Sequence, residues 1–219
     1  MMLPLKPTNM VRFFLFVITM STFSVLQAET QRLVFLGDSL TAGYRLDEDQ
    51  AYPALVGDLL DAEGFEVEVV NAGVSGDTSA GGMRRINWLV RQGIDILIIA
   101  LGANDALRGL DADNTRRQLQ GIVDTVAESR PEADILLAGM LAPPNMGEAY
   151  QQRFAAIYAD LAAHNDIEHL PFLLEGVAGE RNLNLSDGVH PNAEGHKIVA
   201  ANVAAALKPM LNKRLGNAP

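Results

Sequence analysis

The segment Ile94-Asp95-Ile96-Leu97-Ile98-Ile99-Ala100-Leu101 carries a single charged residue and lies between Gly93 and Gly102. It is too short for an ordinary helix and lacks the alternation of a strand with one wet face. Such a run forms a strand buried on both sides. A strand of that kind belongs to a parallel sheet with helices on each face. The remainder of the chain must therefore supply those helices.

The hydrophobic periodicity supplies them. Leu33 to Leu36 is a short apolar strand ending at Gly37. Ala51 to Glu63 has helical spacing at Ala54, Leu55, Leu59 and Leu60, with Gly64 past its end. Phe65 to Val70 alternates as a strand, and Met83 to Gln92 places Ile86, Leu89 and Val90 on one helical face, with Trp88 expected in the core. Asn114 to Glu128 is a helix with Leu119, Ile122, Val123 and Val126 on one face and Thr115/Gln118 at capping-box spacing. Ala133 to Met140 is a strand. Ala149 to Asn165 is a helix with Phe154, Ile157, Tyr158 and Leu161 inward. Ile167 to Phe172 is a fifth strand, and Ala193 to Leu211 a last helix capped by Asn192. Strands alternating with helices imply an α/β fold with a mostly parallel sheet. Right-handed crossovers then gather the loops at the carboxyl ends of the strands on one edge.

Composition bounds the partners. The formal net charge is −10 with no basic cluster, so nucleic acid is not an expected partner. The absence of cysteine excludes disulfides, a cysteine nucleophile and thiolate metal sites. The scattered His164, His169 and His196 offer no metal constellation, and neither metal nor cofactor is expected. At the N-terminus, Lys6 and Arg12 precede an apolar run from Phe13 to Leu26 that ends at Gln27-Ala28. This pattern is that of a secretory signal peptide over residues 1–28, followed by one domain over 29–219. Leu26 is an imperfect residue before such a cleavage site, and the rival is an uncleaved anchor; the run is short for a span of about 20 apolar residues. A periplasmic or secreted monomer with no lasting membrane anchor is expected.

Four edge loops carry the chemistry. Gly37-Asp38-Ser39-Leu40-Thr41 reads as strand, tight turn and helix start, with the Ser39 hydroxyl at the sheet edge. Alone, Ser39 could be an N-cap or line a phosphate site. Asn71 to Thr78 and Gly102-Ala103-Asn104-Asp105 are turns that follow strands, and Ser186 to Asn192 is a loop before the final helix. Within that loop Asp187 precedes His190 by three residues, so one turn can bring its carboxylate to the imidazole. Ser39 as nucleophile, His190 as base and Asp187 as its orienter would meet the needs of acyl transfer. Oxyanion donors would be the N–H groups of Ser39 and Gly76 and the amide of Asn104.

These blocks resemble the SGNH (GDSL) hydrolase family from about Leu33 to Leu211. Gly37-Asp38-Ser39-Leu40 matches the first block, Asn71 to Thr78 the second, Gly102 to Asp105 the third and Asp187-Gly188-Val189-His190-Pro191 the last. Ala103 stands where relatives commonly have glycine. The resemblance is closest to bacterial periplasmic arylesterases, acyl-CoA thioesterases and lysophospholipases, through Leu36 to Tyr44, Ser75 to Thr78, Asn104 to Gly109 and Pro143-Pro144-Asn145. It implies a flavodoxin-like three-layer α/β/α sandwich with a five-stranded parallel sheet in order 2-1-3-4-5. It implies the same roles for Ser39, Gly76, Asn104, Asp187 and His190.

An acyl pocket is expected from the edge loops, with Leu40, Ala106, Leu107, Leu110 and Met140 to Pro143-Pro144 as its apolar wall. Ala106 to Asp113 could form a loop that closes over it. The expected substrate is a small acyl ester or thioester: an aryl ester, an acyl-CoA or a lysophospholipid. The alternatives are a carbohydrate O-acetylesterase, a non-catalytic anion binder of flavodoxin-like fold and an inactive acyl-binding relative. The anion binder would need basic ligands near Ser39, where Arg45 stands alone in sequence.

Overall fold

The structure, a computed structural model, describes residues 30–216. The expected signal peptide lies outside the described residues. Strands β1 (Gln31–Gly37), β2 (Val67–Gly73), β3 (Ile96–Ala100), β4 (Asp134–Ala138) and β5 (Glu168–Leu170) form one sheet in the order β2-β1-β3-β4-β5. Every pairing is parallel. The expected sheet order is observed. β3, the run that required such a sheet, is central and buried throughout.

Helices α2 (Tyr52–Ala62) and α7 (Ala193–Arg214) pack together on one face of the sheet. On the other, α3 (Ser79–Gln92) packs on α5 (Ala112–Ser129), and α5 on α6 (Glu148–Asn165). Two short helices, α1 (Ser39–Ala42) and α4 (Ala103–Leu107), begin just past the ends of β1 and β3. The chain leaves β1 toward β2 and leaves β3 toward β4, so the topology reverses between β1 and β3. A crevice forms at such a switch point, and α1 and α4 start there.

Several boundaries differ from the periodicity. α3 begins at Ser79, not Met83, because Thr78 caps it and accepts from the Gly81 N–H. Its two early glycines answer close packing: a Cβ on Gly82 would lie 2.2 Å from Leu101 Cδ1. α5 begins at Ala112 under an Asp111 cap, so the Thr115/Gln118 capping box does not form. Thr115 is buried and its hydroxyl donates to Asp105 instead. β2 runs on to Gly73, and Trp88 is 57% exposed rather than core. The segment 106–113 is not one loop, since α4 and α5 take its two ends and leave only 108–111 between them.

Small residues end the central strands. Gly37 pairs with Gly73 on one side and with Ala100 on the other. A Cβ on Gly73 would lie 2.3 Å from the Ala42 backbone nitrogen, so this row lets α1 lie across the strand ends. At the opposite end, Arg214 of α7 donates to Gln31, Asp95, Asp134 and the Glu132 carbonyl. Asp95, the one charge in the apolar run, also accepts from the Arg32 N–H. Gly73→Ala should destabilise the fold by about 1–3 kcal/mol, because the methyl meets backbone that cannot turn aside. The shift of the urea midpoint measures it.

Candidate active site

Asp38 follows β1 and caps α1. Its buried carboxylate accepts from the Leu40 N–H at 3.0 Å, which fixes the turn that presents Ser39. As the first residue of α1, Ser39 has a backbone N–H with no partner inside the helix. Ser39 Oγ lies 2.9 Å from His190 Nε2, and His190 Nδ1 lies 2.9 Å from Asp187 Oδ2. The structure thus joins Ser39, His190 and Asp187, 151 residues apart from first to base, in one hydrogen-bonded line. The tautomer follows: Nδ1–H donates to the carboxylate and leaves Nε2 as acceptor for the serine hydroxyl.

The loop that holds His190 is built to place it. Asp187 Oδ1 accepts the backbone N–H groups of Val189 and His190. These bonds and the imidazole hold the Asp187 carboxyl down at about 2. The Leu185 N–H donates to the His190 carbonyl at 2.7 Å, closing the turn. Tyr44 packs on the imidazole, with ring centroids 4.5 Å apart.

The other two loops converge through Asn104. Its amide donates to Asp38 Oδ2 and to the Asp77 carbonyl, each at 3.0 Å. One side chain therefore links the loops after β1, β2 and β3. Its helix is anchored by Asp105, a buried carboxylate that accepts from the Ser79 N–H and hydroxyl and from Thr115. Gly102 precedes it with φ 115°, and a Cβ there would lie 2.1 Å from the Tyr158 hydroxyl, which donates to the Leu101 carbonyl. Gly76 has φ 81°, and its carbonyl accepts from Arg108 Nη2 at 2.8 Å. Arg85 donates to Asp77 and to the carbonyls of Ala72 and Gly37, which ties this loop to the strand ends.

A cavity of about 590 Å³ opens over Ser39 and His190. Its wall is mainly apolar and includes Leu40, Leu107, Met140, Leu141, Ala142, Pro143, Pro144, Phe172, Leu174 and Val189. Leu107 and Pro143, expected in an acyl pocket, both line this cavity. Leu110 is not part of the wall; its carbonyl instead accepts from the hydroxyl of Tyr150 in α6. Ala106 is fully buried beneath the site. Residues the sequence reading did not single out as site groups are Asp38, Tyr44, Asp77, Arg85, Asp105 and Arg108. Phe172, Leu174 and Val189 add to the cavity wall beyond the residues expected there.

A serine in hydrogen-bonded line with histidine and aspartate, at the switch point of a five-stranded parallel sheet, marks an α/β ester hydrolase. The particular family follows from comparison with known proteins. The model of the GDSL-like Lipase/Acylhydrolase family matches residues 35–198, and the chain belongs to that family. It is 38% identical over 187 residues to "Esterase TesA" of Pseudomonas aeruginosa, covering 84% of this chain and 92% of that one. It is also 38% identical over 200 residues to "Thioesterase 1/protease 1/lysophospholipase L1" of Escherichia coli K12, covering 91% and 92%. The crystal structure of TesA superposes with a TM-score of 0.78 at 36% identity, covering 82% of this chain and 99% of that one.

Two buried groups behind the site titrate in opposition. Burial, the largest influence, pushes the Asp38 carboxyl up to about 6, although Leu40, Asn104 and His190 favour its charged form. Burial pushes His196, whose Nδ1 accepts from the Tyr52 N–H, down to about 4, and His190 adds to this. Between about pH 4 and 6 the folded state keeps an Asp38 proton that the unfolded chain has released, so stability falls as pH rises. Between about 6.5 and 4 the unfolded chain takes a His196 proton that the folded state refuses, so stability falls as pH drops. Asp38→Asn should therefore expose a loss of stability on acidification across this window, and His196→Asn the reverse slope. Urea midpoints measured at each pH in the three proteins check both signs.

Proposed function

We propose that the protein is an exported serine esterase that hydrolyses medium-chain acyl esters and thioesters, including lysophospholipids, through an acyl-enzyme on Ser39. The observation that carries this is the unbroken line from Ser39 Oγ to His190 to Asp187 beneath an apolar cavity of about 590 Å³. The names of the relatives support the reading of substrate class. Export rests on the signal-peptide pattern of residues 1–28, with residues 29–219 as the enzyme domain.

In this mechanism Ser39 Oγ attacks the substrate carbonyl while His190 Nε2 takes its proton. Asp187 accepts the Nδ1–H and stabilises the imidazolium; its carboxyl, held at about 2, stays charged throughout. The developing oxyanion is met by the N–H groups of Ser39 and Gly76 and by the Asn104 amide. Asp38 and the Asp77 carbonyl take both N–H groups of that amide beforehand, so one of these two bonds is exchanged for the bond to the oxyanion as its charge develops. As the tetrahedral intermediate collapses, the bond to the leaving oxygen or sulfur breaks and His190 delivers the proton to it. Water then attacks the acyl-enzyme by the same route in reverse.

The apolar wall favours an acyl chain over a carbohydrate ring, which would need polar partners. Hydrolysis of p-nitrophenyl esters from acetyl to palmitoyl should peak at medium chains. Ser39→Ala should abolish it; full activity in that variant, or a peak at acetyl, would sink the reading. Asp187→Asn should lower kcat by about 10⁴-fold, because an amide at this position selects the wrong imidazole tautomer. A loss of less than tenfold would remove Asp187 from the role assigned to it.

A further inference from the structure

The stack on His190 continues one residue beyond the site. Tyr44 lies against the imidazole, and the Arg45 guanidinium carbon lies 5.1 Å from the Tyr44 ring centroid. Arg45 is exposed and, among the described residues, has no ion-pair partner. Asp47, Glu48 and Asp49 follow it closely in the chain, yet none of them pairs with it. Arg108, the other arginine beside the site, is committed to the Gly76 carbonyl.

The backbone adds a second observation. Arg45 has φ 61°, in the left-handed region that residues with side chains rarely occupy. Gly43, two residues earlier, takes the same region with φ 71° as the cap of α1. A glycine at position 45 would fit this backbone without strain. An arginine held there, with its charged group over the ring that covers the imidazole, points to a use for the side chain.

We propose that Arg45 forms a leaving-group subsite for phosphate, so that the enzyme favours esters or thioesters whose alcohol or thiol part carries one. This rests on the serine-esterase reading above. When the intermediate collapses, the carbonyl carbon's bond to the leaving oxygen or sulfur breaks and that atom takes the proton from His190 Nε2. The leaving group therefore lies toward the imidazole, while the acyl chain follows the wall of Leu107, Leu141 and Pro143. Tyr44 lies against that imidazole, outside the cavity wall, and Arg45 lies over the Tyr44 ring. A guanidinium offers phosphate two parallel donors as well as charge. In a chain of net charge −10, the general field opposes an anionic substrate, so an unpaired cation beside the base decides whether one is received.

The test uses two matched pairs with one acyl chain: decanoyl-glycerol phosphate against monodecanoylglycerol, and decanoyl-CoA against decanoyl-pantetheine. Wild type should prefer the phosphate-bearing member of at least one pair, and Arg45→Ala should lower that preference about tenfold, mainly through KM. Arg45→Lys should keep part of the preference, and added salt should shrink it. The pair that responds identifies the source of the phosphate, a lipid headgroup or the nucleotide-bearing thiol. Equal losses for both members of each pair, or no loss, would overturn the proposal. Calorimetric binding of the same four compounds to Ser39→Ala and Ser39→Ala/Arg45→Ala proteins reads the contrast without turnover. If wild type hydrolyses none of the four while this binding contrast is present, the esterase reading fails and the phosphate subsite stands. If the binding contrast is absent, the subsite fails, whatever the turnover.

Discussion

The carboxyl group of Asp38 accepts two hydrogen bonds at the end of β1, one from the Leu40 N–H and one from the Asn104 amide. The first caps α1 and so orients Ser39. The second draws in α4, and with it the loop after β2 through Asn104 and Asp77. Burial costs this carboxylate much of its hydration, and its raised titration near 6 is the mark of that cost. The donors around it offset only part. A charged group is kept in an unfavourable place because three loops meet on it. Asp105 and Arg85 extend the arrangement outward to α3, α5 and the strand ends. The site is therefore a network of polar groups on a sheet whose own interior is apolar.

The sheet was legible in the sequence because its signals are local and redundant. The run from Ile94 to Leu101 demanded two covering layers, and each later helix declared an apolar face. Boundaries were less legible where a side chain answered to distant atoms. Thr115 looks like a cap from its neighbours, but its hydroxyl is held by Asp105, ten residues earlier. Gly81 and Gly82 look like helix breakers, yet they sit inside α3 because Asp77 and Leu101 leave no room for a Cβ. Trp88 has helical company in sequence but faces water.

The candidate site divides in the same way. Ser39, Gly76, Asn104, Asp187 and His190 could be picked out because each stands in a polar, glycine-rich loop after a strand or before a helix. Asp38, Asp105 and Arg85 could not, since burial and distant partners give a charged residue its meaning and leave no trace in the local pattern. Tyr44 and Arg45 lie in the turn that follows α1, where a sequence gives no hint that one ring will rest on His190. Leu110 shows the converse: an apolar residue in the right loop whose backbone is turned to Tyr150 and away from the cavity.

Asp187 and His190 share a single tight turn, closed by the bonds from Leu185 to His190, from Gly188 to Leu185 and from Asn192 to Leu183. Imidazole and carboxylate are therefore held together as one body. Local opening of this turn separates the pair from Ser39 without separating the two from each other. The weak joint of the assembly is the contact between serine and histidine, which bridges distant parts of the chain and has no backbone bonds of its own. Under the proposed mechanism, motion of this loop would uncouple Ser39 from His190 while leaving the bond between His190 and Asp187 intact, so recovery requires only that the turn settle back onto α1.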